Sequence, residues 1–407
     1  MYDKDYELMQ EENQEYLNQE YLKSLKEEQS KEHKKIKDLE YEKMKEESYN
    51  KFLDEIISKQ EKNEDYQHYH YINGVKYELQ IKCPDETKGI YIPSIIAIPV
   101  GVKNATIALE ANNKESDEYK DRLSQALETA EKLATFTQDP PSIVVIPIIP
   151  SKGEEKPYYQ QLSRDCFSEQ KEEPNIDEQV VNIIEEVKNI EMKNKTIVKD
   201  VINIPDKIFI NGYSSSGVFA QRFALLHPEL IQAACIGGAS GSIPYPTMDL
   251  SYPLGIKDYK EITGKDFDSD SYNQIKFNYY VGEFEGLDKI KREKAKEEKT
   301  VPMHDMSYFE RSIPKEVGEE LRNKFGEDLI TRAEKEVMML QANGANISHS
   351  VIEGKAHSSI SAKAINNDEG IEVEGVSLED QKKFIQTTYV MCNEELSKEK
   401  TNSTHKL

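Results

Sequence analysis

Three serines in a row stand between glycines in "KIFINGYSSSGVFAQRF", residues 207–223, directly behind a short apolar run. A serine hydroxyl is a weak nucleophile until a neighbouring base takes its proton. A sharp strand-to-helix turn can hold one such hydroxyl clear of its neighbours, and the pattern for it is G-x-S-x-G, in which small residues two before and two after the serine let backbone and helix approach. With Ser214 as the nucleophile, Gly212 lies at −2 and Ser216 at +2, both small. Ser215 would put the bulky Tyr213 at −2, and Ser216 would put Val218 at +2. Ser214 is therefore the best placed, with Ser substituted for the last glycine of the pattern.

A base must follow. Of the eight histidines, His33 and His405 lie in polar terminal segments, His68 and His70 flank an early hairpin, and His227 in "LLHPEL" suits a helix end. His349 falls within or before the last strand, and His304 in "VPMHDM" follows a charged segment. His357, in "EGKAHSSI" after a late strand, has the position expected of the base in a strand-built triad. An acid is needed to fix the base's tautomer and to stabilise its cation. "GEFEGLD" offers Glu283, Glu285 and Asp288 just beyond a strand end, between serine and histidine in chain order. For the oxyanion, one N–H would come from Ser215 at a helix start, where unpaired amides and the dipole favour negative charge. The other would come from Ala111, Asn112 or Asn113, after the strand in "ATIALEANN".

Positioning these residues takes a sheet whose strands share one functional edge. Apolar runs "SIIAIPV", "ATIAL", "PSIVVIPIIP", "KIFI", "QAACIGG" and "QIKFNYYVG" alternate with helical patterns at "DEYKDRLSQALETAEKLATF", residues 177–193, residues 219–226 and residues 315–343. Such alternation predicts a mostly parallel sheet with helices on both faces, its ligands at the carboxyl ends of the strands. "NG" in "YHYINGVKYELQIK" predicts a hairpin at its start. "ISHSVIEGKAHSSI" closes the sheet, "SLEDQKKFIQTTYVMCNEEL" is a last helix, and residues 256–274 read as an excursion.

These residues resemble the α/β-hydrolase superfamily, and more narrowly bacterial hydrolase-like proteins with a "GYSASG"-type elbow. The resemblance spans about residues 90–360 and rests on "GYSSSGVFAQRFALLHPE", "YPLGIKDYKEITGKDFD", "YYVGEFEGLD", "EGKAH" and "PYYQQLSRD". It implies the α/β-hydrolase fold, Ser214 as nucleophile and His357 as base. The family's "GExDxND" stretch reads "GEFEGLD" here, which favours Glu285 as the acid and keeps Asp288 as the alternative. The expected activity is hydrolysis of a small ester-like substrate through an acyl-enzyme. A non-catalytic scaffold of the same fold, recruiting a partner through its N-terminal arm, is the other reading, because fold alone does not dictate function.

The whole chain sets further bounds. Its 407 residues carry a net charge of −23, which repels nucleic acid and anionic lipid. No apolar stretch is long enough to span a membrane, and the acidic N-terminus lacks the apolar core of a signal peptide, so a cytoplasmic protein is expected. Four scattered cysteines form no metal-binding spacing, and neither a phosphate loop nor a dinucleotide fingerprint occurs, so no cofactor is implied. Residues 1–64, rich in Glu, Lys and Leu and free of Gly and Pro, predict one or two long charged helices with a broken apolar seam, read first as solvated charged helix and second as an arm for self-association or a protein partner. The hydrolase domain is expected over 65–395, and residues 396–407 as a disordered polar tail.

Overall fold

The computed structural model describes residues 43–113, 116–150, 159–167, 173–189, 202–239, 243–287, 315–326, 329–357 and 373–404. The chain divides into two compact units, Met1–Ser58 and Lys59–Leu407. In the first, residues 43–58 belong to a helix, α1; residues 1–42 of the charged arm lie outside the described residues.

The second unit is organised on a nine-stranded sheet in the order β1-β2-β3-β5-β4-β6-β7-β8-β9. It opens with the expected hairpin, β1 (Tyr66–Ile72) and β2 (Val75–Lys82). Asn73 and Gly74 both take positive φ, 49° and 84°, which is what a two-residue turn matched to the strand twist requires. β3 (Ser94–Pro99) runs antiparallel to both of its neighbours. From β5 to the far edge the strands are parallel: β5 (Ile143–Pro147), β4 (Ile107–Leu109), β6 (Ile208–Tyr213), β7 (Ile231–Gly237), β8 (Lys276–Gly282) and β9 (Ile347–Ile352). Every residue of β5 and β7 is buried, as strands covered on both faces must be.

Alternation along each strand sorts the core. Ile208 and Ile210 of β6, with Phe277 and Tyr279 of β8, face a cluster that includes Val180 and Ile183 of α3 (Ile176–Lys188), Phe219 and Phe223 of α4 (Ser215–Leu226), and Ala333 and Val337. Phe209 points the other way and packs edge-on against Tyr389 of the C-terminal helix, near α2 (Tyr119–Phe136). The start of α3 is fixed by Glu178, whose carboxylate reaches back to the Asn175 N–H at 3.2 Å. All twelve residues of α4 are buried, so this helix is a core element and not a surface amphipath. His227 ends it: its N–H donates to Phe223 O, and its Nε2 lies 2.9 Å from the buried Asp177 carboxylate in the first turn of α3. Burial works against the charged imidazole, but Asp177 and Glu229 outweigh it and raise the His227 pKa; the protonated ring at one helix's C-terminus and the carboxylate at another's N-terminus each complement the dipole they face.

The segment 256–274, expected as an excursion, holds two short helices, α5 (Tyr259–Thr263) and α6 (Ser269–Gln274). The single helix expected near residues 315–343 is divided into α7 (Lys315–Phe325) and α8 (Leu329–Ala342). Gly326 between them has φ +107°, a value that ends a helix. The last helix, α9 (Leu378–Thr404), corrects the expectation of a disordered tail from residue 396. Glu395 on it pairs with Lys276 of β8 and with Lys398, both at 2.8 Å, tying the helix to the sheet. Among the described residues no helix is long and apolar enough to cross a membrane, and all four cysteines are buried free thiols.

Candidate active site

β6 delivers its last residue, Tyr213, to the carboxyl edge of the sheet, beside the point where the connections leaving β4 and β6 go in opposite directions along the sheet. The chain then bends at Ser214, with φ +60° and ψ −121°, and enters α4. A positive φ on a non-glycine residue costs about 1–3 kcal/mol and persists only where the surroundings enforce it. Four bonds do so here. Ser214 N–H donates to Gly237 O on β7 at 2.9 Å, and Ser214 O accepts from Val218 N–H at 3.0 Å. Ser216 Oγ spans the bend, accepting from Tyr213 N–H at 2.9 Å and donating to Tyr213 O at 3.0 Å. The serine that replaces the usual last glycine thus acts as a brace. The glycine at −2 is strictly required: a Cβ on Gly212 would lie 2.1 Å from Ser216 O. Gly217 provides the second close approach, because a Cβ there would sit 2.8 Å from Gly237 O.

His357 follows β10 (Lys355–Ala356), which pairs in parallel with β11 (Glu374–Gly375). Its Nε2 is 3.0 Å from Ser214 Oγ, and its Nδ1 is 2.8 Å from Glu285 Oε1. Glu285 sits in the tight turn Glu283–Leu287 immediately after β8, and its second oxygen accepts the Gly282 N–H at 3.1 Å. The ring and the carboxylate are both buried, at 6% and 5% exposure, so their attraction is little screened. Ser214, His357 and Glu285 therefore form one continuous hydrogen-bonded chain. Asp288, the alternative acid, lies outside the described residues.

The oxyanion candidates divide by what their amides already do. Ser215 is the first residue of α4, where an N–H has no intrahelical acceptor. The next N–H, of Ser216, is taken by the Asn113 side-chain oxygen at 3.1 Å, and the N–H of Asn113 itself goes to Gln125 Oε1 at 2.9 Å. Asn112 is fully buried and clamped to the main chain of Ile149, accepting its N–H at 2.7 Å and donating to its carbonyl at 3.1 Å. That double bond locks the loop after β4 against the end of β5, opposite the start of α4.

Several neighbours carried no signal in the sequence. Gln161 donates to Ser215 Oγ at 3.2 Å, and its carbonyl accepts from the buried Arg222 of α4 at 2.8 Å. The glutamine lies in "PYYQQLSRD", a segment of the resemblance, but nothing in the sequence indicates this role for it. Gly238, at φ +61°, lies so close to the histidine that a Cβ would fall 2.8 Å from His357 Cε1. The "GG" after an apolar strand was the only available hint of it.

No family model matches the sequence, and no curated protein matches it. Solved structures do. An S-formylglutathione hydrolase from Agrobacterium tumefaciens aligns over 81% of this chain and 98% of its own, with 10% identity and a TM-score of 0.42. An esterase from Pyrobaculum calidifontis covers 86% and 91% at 11% identity and TM-score 0.37. A siderophore hydrolase from Aspergillus nidulans covers 81% and 94% at 14% identity and TM-score 0.37. The parallel sheet with one antiparallel strand next to β5, the β5-β4-β6 reversal and a serine at a strained bend between the central strand and a buried helix identify the chain as having the α/β-hydrolase fold.

Proposed function

We propose that the chain is a serine hydrolase of small carboxylic esters. The observation that carries this reading is the hydrogen-bonded chain from Ser214 Oγ through His357 to Glu285, with the serine held at positive φ. Ser214 Oγ attacks the ester carbonyl carbon while His357 Nε2 takes its proton. Glu285 accepts the Nδ1–H throughout, so the ring presents Nε2 as a base and is stabilised once cationic. The negative oxygen of the tetrahedral intermediate lies against the N–H groups of Ser215 and Asn112. Asn112 is favoured over Asn113 because Gln125 already occupies the latter's amide. Collapse breaks the bond to the alcohol oxygen, which leaves with the proton from His357. Water then repeats the sequence on the acyl-serine: His357 removes its proton, the acid departs and Ser214 Oγ is reprotonated. Each step conserves atoms and charge without a cofactor.

A fluorophosphonate probe should label the wild type and leave Ser214→Ala unlabelled, and turnover of p-nitrophenyl acetate should fall on the order of 10⁶-fold in Ser214→Ala or His357→Ala. Equal labelling of wild type and Ser214→Ala would refute the assignment.

A further inference from the structure

Tyr213 is the residue immediately before the proposed nucleophile, yet its contacts are with the histidine. Its ring lies alongside the imidazole, with centroids 5.3 Å apart and planes 28° apart. Its hydroxyl donates to the main-chain carbonyl of His357 at 2.6 Å. Behind it stands Tyr280, at 6.0 Å and 32°, which is itself stacked on Phe384 of α9 at 4.4 Å and 4°. A column of rings thus runs from α9 through the edge of the sheet to His357. Gly238 closes the arrangement, its missing Cβ leaving space against both the imidazole and Tyr213 Cζ.

The face of an aromatic ring carries partial negative charge and attracts a cation within about 6 Å of its centroid. His357 becomes a cation at the moment it takes the serine proton. Resting on the triad reading above, we infer that Tyr213 is a positioning residue for His357: its ring face stabilises the imidazolium, and its hydroxyl fixes the backbone that carries it. Burial, with Glu285 and Asp380 adding to it, pushes the phenol well above its ordinary pKa, so it is a neutral donor throughout the assay range.

The charged groups around the histidine come from several elements. Glu285, after β8, is bonded to the ring itself. Glu283 accepts the Gly354 N–H at 2.8 Å. Lys355 of β10 pairs with Glu374 of β11 at 2.6 Å and with Asp380 of α9 at 3.8 Å. His349 on β9 lies in the field of Glu285. All of these are retained when residue 213 is changed, so a displaced titration reports Tyr213.

The test is the second-order rate of fluorophosphonate labelling between pH 5 and 9 for the full-length wild type, Tyr213→Phe and Tyr213→Leu. The wild type rises along one acid limb as His357 becomes neutral. Tyr213→Phe keeps the ring, so the limb stays in place and the plateau falls roughly 3- to 10-fold with the lost bond. Tyr213→Leu stays apolar and loses the ring face, so the limb moves down by about half to one pH unit. If the leucine variant does not fold, pentafluorophenylalanine at position 213 reverses the charge on the ring face and must lower the limb in the same direction. A limb left in place by either replacement overturns the inference while leaving the triad standing. A wild type that is not labelled at any pH removes both.

Discussion

Replacing Glu285 by glutamine tests the proposed acid with its shape retained. In the wild type, Oε1 accepts from His357 Nδ1 and Oε2 accepts from the buried Gly282 N–H. A glutamine has one oxygen and one NH₂ to place in those two positions. With its oxygen on Gly282, its NH₂ faces Nδ1, the ring proton moves to Nε2, and the imidazole can no longer accept from Ser214. With the amide turned over, Nδ1 keeps its proton but an NH₂ opposes the Gly282 N–H. That leaves a buried donor unsatisfied, at about 1–3 kcal/mol, so the competent orientation is outnumbered roughly 5- to 150-fold. Even that fraction lacks the carboxylate charge opposite the imidazolium. The expected loss in kcat is therefore about 10² to 10⁴, the upper end matching what a wrong tautomer costs in a comparable triad. The assay is p-nitrophenyl acetate turnover alongside near-UV circular dichroism of the tyrosines, of which the chain has 23 with no tryptophan to obscure them. A folded Glu285→Gln variant retaining more than a tenth of wild-type kcat would refute the reasoning and move the search to another carboxylate.

Two further outcomes follow from residues around the same sheet. Gly238→Ala adds about 1–2 kcal/mol of backbone strain at φ +61° and drives a methyl toward His357 Cε1, so labelling of Ser214 should slow by about 10² in a protein that still folds; an unchanged rate would show that the ring does not need that space. Glu336 of α8 is fully buried, with one oxygen on Ile243 N–H and the other unpartnered among the described residues; burial pushes its carboxyl up to about 8, against the opposing influences of Arg332 and that N–H. Because the folded state holds this proton above the ordinary value of 4.5, stability should decline as pH rises from about 4.5 to about 8 and then level off. Glu336→Gln should remove that decline, gaining on the wild type with pH to an upper bound of about 5 kcal/mol in urea unfolding; a difference independent of pH would show that the carboxyl is not held protonated.

The strands were legible because their signals are local. "PSIVVIPIIP" is apolar on both faces and bounded by prolines, and "NG" specifies its own turn. Ser214, Glu285 and His357 could be chosen because each stands just past a strand end in an order the fold imposes. What stayed hidden depends on pairs distant in the chain. The Gln161–Ser215 bond spans 54 residues and the Tyr213–His357 bond 144, and no periodicity records either. The division of α7 from α8 rests on one glycine inside a charged helical pattern, where helix propensity outweighs a single breaker in a sequence reading. α9 continues to Thr404 past its last apolar residue, Leu396, where no hydrophobic pattern marks it.

β7 contributes no reacting group, yet it separates the strand that carries Ser214 from the strand that leads to Glu285, and it ends in Gly237 and Gly238. Those two residues leave a notch in the rim of the sheet, filled by Tyr280 below and by the imidazole above. The ring, carried on the segment after β10 and bonded to Glu285 and Ser214, is consequently seated against the end of β7. Loops elsewhere around the rim can change length and lining without moving that seat. In such an arrangement the substrate of the proposed hydrolase is free to diverge while the pairing of Ser214 with His357 keeps its geometry.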